Sequence, residues 1–188
     1  MNFEKDIQSC LTALEKGGII LYPTDTVWGI GCDATNPEAV EKIFALKKRP
    51  DQKSMIILLA DEKAVLQHVA NPDLSVFEYL NTVMKPVTVI YEGGIGIAQN
   101  LVAKDGSVAI RIVKDEFCRH LIRRFRKPIV STSANISGQA FSQDFKSIQE
   151  EIKKGVDYIV QYRQDEKIQS MPSSIIKWVK GKPEIIRS

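Results

Sequence analysis

Leu21-Tyr22-Pro23-Thr24-Asp25-Thr26-Val27-Trp28-Gly29-Ile30-Gly31 follows the apolar run Gly18-Ile19-Ile20-Leu21, and its reading decides how the whole chain is read. The apolar residues are the end of a buried strand. Pro23 has no N–H to give to a strand ladder, so regular pairing stops there. Thr24, Asp25 and Thr26 then place three small polar side chains at a strand tip, where they suit hydrogen bonds to a small polar ligand. Gly29 and Gly31 allow a sharp turn or a close approach of backbone to that ligand. The other reading is a turn whose hydroxyls satisfy their own backbone.

Outward from this stretch, apolar strands alternate with helical patterns. Upstream, Ile7, Leu11 and Leu14 recur at helical spacing with Cys10 on the same side, and Gly17-Gly18 ends the helix. Downstream, Thr35-Asn36-Pro37-Glu38 carries the signature of a helix start: a capping side chain, a proline just inside and an acid in the first turn. Val40, Ile43, Phe44 and Lys47 continue that helix to Arg49-Pro50. Met55 to Leu59 is an apolar run expected to be buried on both faces. Helices are expected at Lys63 to Val69, Asp73 to Val83, Glu116 to Phe125 and Asp144 to Lys154. Strands are expected at Thr88 to Tyr91, Ser107 to Val113, Pro128 to Val130, Tyr158 to Val160, Ser174 to Ile176 and Glu184 to Arg187. Gly93-Gly94-Ile95-Gly96 reads as a turn. The order lacks a regular βαβ rhythm, which points to an α/β fold with a twisted, mixed or parallel open sheet flanked by helices. With no repeat or linker, residues 1–188 read as a single domain.

Composition excludes several classes. A chain of 188 residues, 44% hydrophobic and 26% charged, is ordinary for a soluble globular protein. No apolar run approaches 18 residues, so no membrane helix is expected. The charged start of the chain lacks the apolar region of a secretory signal. Cys10, Cys32 and Cys118 fit neither disulfide nor zinc spacing and read as free thiols of a cytoplasmic protein. A net charge of +3 decides nothing about nucleic acid.

Four polar clusters lie beyond apolar strands. Thr24-Asp25-Thr26 is the first. The second, Lys47, Lys48, Arg49 and Lys53, is either a solvated face or a set of cations held for phosphate oxygens. Ser107 and Arg111 form the third, four residues apart and so on one face of a strand, where Arg111 could equally serve an ion pair. The fourth is Ser131-Thr132-Ser133-Ala134-Asn135 with Ser137-Gly138, whose hydroxyls and N–H groups suit an anion. His68 and His120 sit in no metal or triad spacing, and neither a P-loop nor a dinucleotide fingerprint occurs. Any catalysis therefore rests on orienting reactants and balancing charge, and suits an anionic, phosphate-bearing substrate.

These motifs in this order resemble the YrdC/TsaC family, the bacterial threonylcarbamoyl-AMP synthases. The similarity is carried by Pro23 to Gly31, Lys47-Lys48-Arg49-Pro50, Val108-Ala109-Ile110-Arg111 and Ser131 to Gly138, and spans about Gly17 to Arg187. It implies a YrdC-like fold with a large basic cavity, and an enzyme that joins L-threonine, bicarbonate and ATP, with Mg²⁺, for tRNA threonylcarbamoyladenosine modification. ATP is a substrate, and no protein ligand is assigned to Mg²⁺. Implied catalytic residues are Lys47, Arg49 and Arg111. Threonine contacts would be Thr26, Arg111, Ser131 and Ser173. Nucleotide contacts would be Arg49, Lys53, Ser107, Ser133, Asn135 and Arg187. Downstream tRNA-modification proteins are the implied partners, and the family is also described as binding tRNA or double-stranded RNA.

Three departures accompany the resemblance. Leu58 stands where the family commonly has histidine, Val83-Met84-Lys85-Pro86-Val87-Thr88 replaces Trp-Pro-Gly-Pro-Leu-Thr, and Ser137-Gly138-Gln139-Ala140 lacks the usual proline. Two competing functions follow. One is an RNA-binding module using Arg119, Arg123, Arg124, Arg126 and Lys127 together with Lys47 and Lys48, although no aromatic-rich stacking surface accompanies them. The other is a paralogue with a different small substrate, for which Leu58 is the main argument.

Overall fold

Helical spacing, capping side chains and period-two apolar patterns yield the elements in chain order. The computed structural model describes residues 3–48, 55–142, 144–166 and 172–188. The elements are α1 (Glu4–Glu15), β1 (Ile20–Tyr22), β2 (Gly29–Gly31), α2 (Pro37–Lys47), β3 (Ile56–Leu59), α3 (Glu62–His68), α4 (Ser75–Thr82), β4 (Val87–Glu92), β5 (Ser107–Ile112), α5 (Glu116–Phe125), β6 (Ile129–Ser133), α6 (Glu150–Lys154), β7 (Tyr158–Ile159), β8 (Ser174–Val179) and β9 (Lys182–Arg187). Asn36 caps α2 as its type predicts, accepting from the N–H groups of Glu38 and Ala39 with Pro37 just inside. Asp115 caps α5 through the Cys118 N–H.

Among the described residues the strands form one mixed sheet in the order β7-β1-β2-β6-β3-β5-β4-β8-β9. β3 runs parallel to β5 and antiparallel to β6, while β4 is antiparallel to β5 and parallel to β8. Register sorts side chains onto two faces, because residues directly opposite each other point the same way. Arg111 lies opposite Leu58, and Ile56 opposite both Ala109 and Ser131, so Ser131, Ser133, Ile56, Leu58, Ala109 and Arg111 share one face. The other face carries Ile57, Leu59, Val108, Ile110, Val89 and Val130, all in the hydrophobic core. α3 and α5 lie against β3, and α1 packs on α5.

The structure differs from expectation at two elements. Gly29-Ile30-Gly31, whose glycines allowed a sharp turn or a close approach to a ligand, is a strand, pairing with β1 on one side and β6 on the other. A Cβ on Gly31 would stand 2.5 Å from the Val130 carbonyl and 2.7 Å from the Tyr22 ring, so glycine serves close packing of strands there. The helix expected from Asp144 shortens to α6. Asp144 instead accepts the Ser147 N–H at 2.8 Å, a local side-chain turn that competes with helix. No helix among the described residues is long and apolar enough to cross a membrane.

Candidate active site

The site starts from the loop between β1 and β2, where Pro23 leaves the ladder and the threonines bond among themselves. Thr24 Oγ1 donates to the Val27 carbonyl at 2.7 Å and lies 2.9 Å from Thr26 Oγ1. A hydroxyl has one hydrogen, and Thr24 has spent its own on a carbonyl. Thr26 must therefore be the donor between the two, leaving its oxygen able only to accept. One such acceptance is already in place, from Arg111 Nη1 at 3.2 Å.

Arg111 comes from β5 and is almost fully buried at 3% exposure. A buried guanidinium needs a counter-charge, and Asp25 supplies it, with Oδ1 at 3.1 Å from Nη2. The ion-pair reading of Arg111 is thus realised, yet it does not exhaust the side chain. Its Nε–H is buried without a partner among the described residues, a donor state uncommon in folded proteins and one an incoming acceptor would relieve.

Arg111 opens onto a hollow of about 210 Å³, lined by Thr26, Ser131, Ser133, Ser173 and Arg187 among others. Ser173 is held from two sides. Its hydroxyl lies 2.7 Å from Thr88 Oγ1 on β4, and its carbonyl accepts from Arg187 Nη2 at 2.7 Å. Burial first, and then the positive charge of Arg111, depress the pKa of the Arg187 guanidinium. Two arginines close enough to repel are stabilised by an anion between them.

The fourth predicted cluster is also in place, but as strand. Ser131, Thr132 and Ser133 belong to β6, and Ser133 faces Gly29 across the β2 ladder. Ser133 Oγ donates to Asn135 Oδ1 at 2.5 Å. Below this turn lies Lys47, only 1% exposed, donating to the carbonyls of Ser133 (2.5 Å) and Asn135 (2.6 Å) and approaching Asn135 Oδ1 at 3.4 Å.

The structure therefore brings Thr26, Arg111, Ser131, Ser133, Ser173 and Arg187 around one hollow, with Asn135 bonded to Ser133. Two implied site residues do not line the hollow. Lys47, implied as catalytic and read either as part of a solvated face or as a cation for phosphate oxygens, is buried and clasps the 133–135 turn. Ser107 does not line the hollow: it begins β5, four residues and about 13 Å of strand from Arg111. Its N–H donates to Asp105 at 3.0 Å, and its hydroxyl bond is the first cause of the lowered Asp105 pKa. Arg49 and Lys53 lie outside the described residues. Leu58 is fully buried opposite Arg111 and offers the hollow no polar group.

Sequence reasoning missed one contributor, Thr88, and the part that two others play. Thr24 and Asp25 were visible in the leading motif, but their service to Thr26 and Arg111 depends on tertiary contacts. Thr88 had a signal of its own, a hydroxyl between the two valines of an apolar strand. The basic run along and just after α5, by contrast, is partly matched by carboxylates: Arg123 lies 3.8 Å from Asp61, Arg124 bonds Glu4, and Lys127 donates to Asp33 at 2.7 Å.

Comparison with known proteins meets this geometry. Threonylcarbamoyl-AMP synthase of Photobacterium profundum is 33% identical over 159 residues, covering 83% of this chain and 86% of that protein. The synthase of the same name from Pseudoalteromonas translucida is 28% identical over 187 residues, 97% of this chain and 98% of its own length. The crystal structure of P. abyssi Sua5 complexed with L-threonine superposes with a TM-score of 0.88 at 23% identity, covering 98% of this chain; the chain spans about half (54%) of that longer protein. The family model Sua5_yciO_yrdC, described as telomere recombination, matches residues 12–188. The fold, the order of its motifs and this match agree, and the chain belongs to the Sua5/YciO/YrdC family.

Proposed function

We propose that the protein is a threonylcarbamoyl-AMP synthase of tRNA modification, a nucleotidyltransferase that joins L-threonine, bicarbonate and ATP and releases pyrophosphate. The observation that carries this reading is the convergence of Arg111 and Arg187 on a hydroxyl-edged hollow, in a chain whose curated relatives bear that name.

Arg111 takes the carboxylate of threonine through its unpartnered N–H, a grip for which a planar guanidinium is suited and an ammonium is not. The hydrogen count in the loop sets the orientation. Thr26 meets the ligand only as an acceptor, so it faces the amino nitrogen or hydroxyl of threonine and not its carboxylate. Ser131 and Ser173 border the same amino acid. The nucleotide lies toward Ser133 and Arg187, with Arg49 and Lys53 assigned to its phosphates. Lys47 and Asn135 act as positioning residues that hold Ser133.

The reaction balances without a protein nucleophile. The amine of threonine and bicarbonate condense with loss of water to a carbamate. A carbamate oxygen then attacks the α-phosphorus, and the bond to the departing pyrophosphate breaks with its electron pair. Cations around the phosphates offset the growing negative charge, and Mg²⁺ bound to the triphosphate would add to that effect. Among the described residues no three His, Cys, Asp or Glu side chains gather to hold an ion. The labile product passes to proteins that modify tRNA.

One incubation tests this, with ATP, labelled bicarbonate and L-threonine. Pyrophosphate released only when threonine is present, together with a labelled threonylcarbamoyl adenylate, is the expected result. RNA binding without turnover, or turnover with another amino acid in place of threonine, overturns it.

A further inference from the structure

Phe141 is the aromatic member of the hollow's lining among the described residues. It shares that lining with the polar Thr26, Arg111, Ser131, Ser133 and Arg187, and its ring is left 49% exposed. Other rings of the described chain find partners. Trp28 packs on Phe145 with centroids 4.9 Å apart, Phe3 on Phe117 at 5.5 Å and Tyr79 on Trp178 at 5.3 Å. Exposed apolar area at the mouth of a polar cavity is the place where a ligand gains most by covering it.

The ring is not at the end of a loose tether. Asn135 Nδ2 donates to the Gln139 carbonyl at 2.7 Å, two residues before Phe141. The Ser142 hydroxyl, one residue after it, lies 3.5 Å from the Ala134 carbonyl and 3.4 Å from that of Ser147, and its one hydrogen serves one of them. The Asn135 anchor is on the turn that Lys47 clasps, so Phe141 is positioned relative to Ser133. Met55, Ile56, Pro172 and Ile175 give the same hollow an apolar lining.

We propose that Phe141 is the platform on which the purine base of the nucleotide stacks. This rests on the synthase reading, and chemistry chooses the base within it. Threonine, bicarbonate and a triphosphate chain have no flat apolar face to offer a ring; adenine has two. Stacking also accounts for an aromatic side chain being held at the rim while its face stays uncovered.

The test compares Phe141→Ala and Phe141→Trp with the wild-type chain. Readouts are the KM for ATP and for threonine in pyrophosphate release, and direct equilibrium binding of ATP and of inorganic tripolyphosphate. Loss of a stacked base at ~1–3 kcal/mol corresponds to about a 5- to 150-fold weakening. Phe141→Ala is expected to weaken ATP by that factor while sparing threonine KM and tripolyphosphate binding. Phe141→Trp is expected to restore ATP affinity, with its fluorescence quenched as ATP binds. Unchanged ATP affinity in Phe141→Ala overturns the proposal, as does an equal loss for ATP and tripolyphosphate, which would mark a change of loop shape. Absence of threonine-dependent pyrophosphate in the wild type defeats the synthase reading instead, and the ATP-against-tripolyphosphate comparison still decides on Phe141. A wild-type chain that binds no ATP defeats both.

Discussion

The two faces of β5 differ in chemistry one residue apart. Val108 and Ile110 are 1% exposed within the core, while Ala109 and Arg111 point to the opposite side, where the hollow opens. The difference teaches that stability and binding are largely carried by opposite sides of one sheet and should separate under mutation. Arg111 is the exception, buried like a core residue yet charged and facing the site. It couples the two sides through Asp25.

That division can be broken first at the exception. Arg111→Ala is expected to cost about 3–5 kcal/mol of stability, because Asp25 keeps a buried charge without a partner. It should also abolish measurable threonine binding. Removing both charges, in Arg111→Met with Asp25→Leu, should recover most of the melting temperature and none of the threonine affinity. Denaturant titration and calorimetric binding read these two quantities separately, and intact threonine binding in Arg111→Ala would end the division. On the opposite face, Ile110→Ala should cost about 2–5 kcal/mol by leaving a cavity, with the threonine KM of the remaining folded enzyme unchanged.

A smaller effect sharpens the hydrogen count in the site loop. Thr26→Val removes an acceptor for Arg111 and for the ligand, and should weaken threonine by about 1.5–3 kcal/mol, the range for bonds to charged groups. Thr26→Ser should bind as the wild type does; equal losses in both would mean that the methyl group, not the oxygen, is what the ligand feels. The smallest effect lies at the far edge of the sheet. Tyr158 donates to the buried Asp6 at 2.6 Å, and burial together with that bond pushes its pKa from 10.0 up to about 12. A phenol whose pKa is raised by folding adds stability in full below about pH 10 and loses it as pH climbs through about 12. The melting temperature of the wild type should therefore fall across that window, and that of Tyr158→Phe should fall less.

Local chemistry made much of this legible. Asn36-Pro37 announced the start of α2, and the short apolar runs announced β3, β4 and β5, because caps and apolar periods act within a few residues. The same holds for Thr26, Arg111, Ser131 and Ser133, each of which stands at a strand or its tip. What escaped was set by partners far along the chain. Lys47 read as one of four cations on a solvated face or held for phosphate oxygens, since the carbonyls it donates to are 86 and 88 residues away. Gly29 and Gly31 read as allowing a turn or a close approach to a ligand, because the lack of room for a Cβ on Gly31 beside Val130 appears only after β6 has packed alongside. Ser107 was placed by its spacing to Arg111. Spacing sets the face of a strand but not how far along that face a cavity extends.

Lys47 also has a consequence for how the molecule opens. Its ammonium ends α2 and donates to two carbonyls of a turn contributed by a distant strand, while the side chain itself stays buried. Pulling that turn away would take both acceptors from a buried cation, so loosening at this point is costly. The turn carrying Ser133 and Asn135 and the helix that ends at Lys47 should therefore exchange their amide hydrogens with solvent as one cooperative unit.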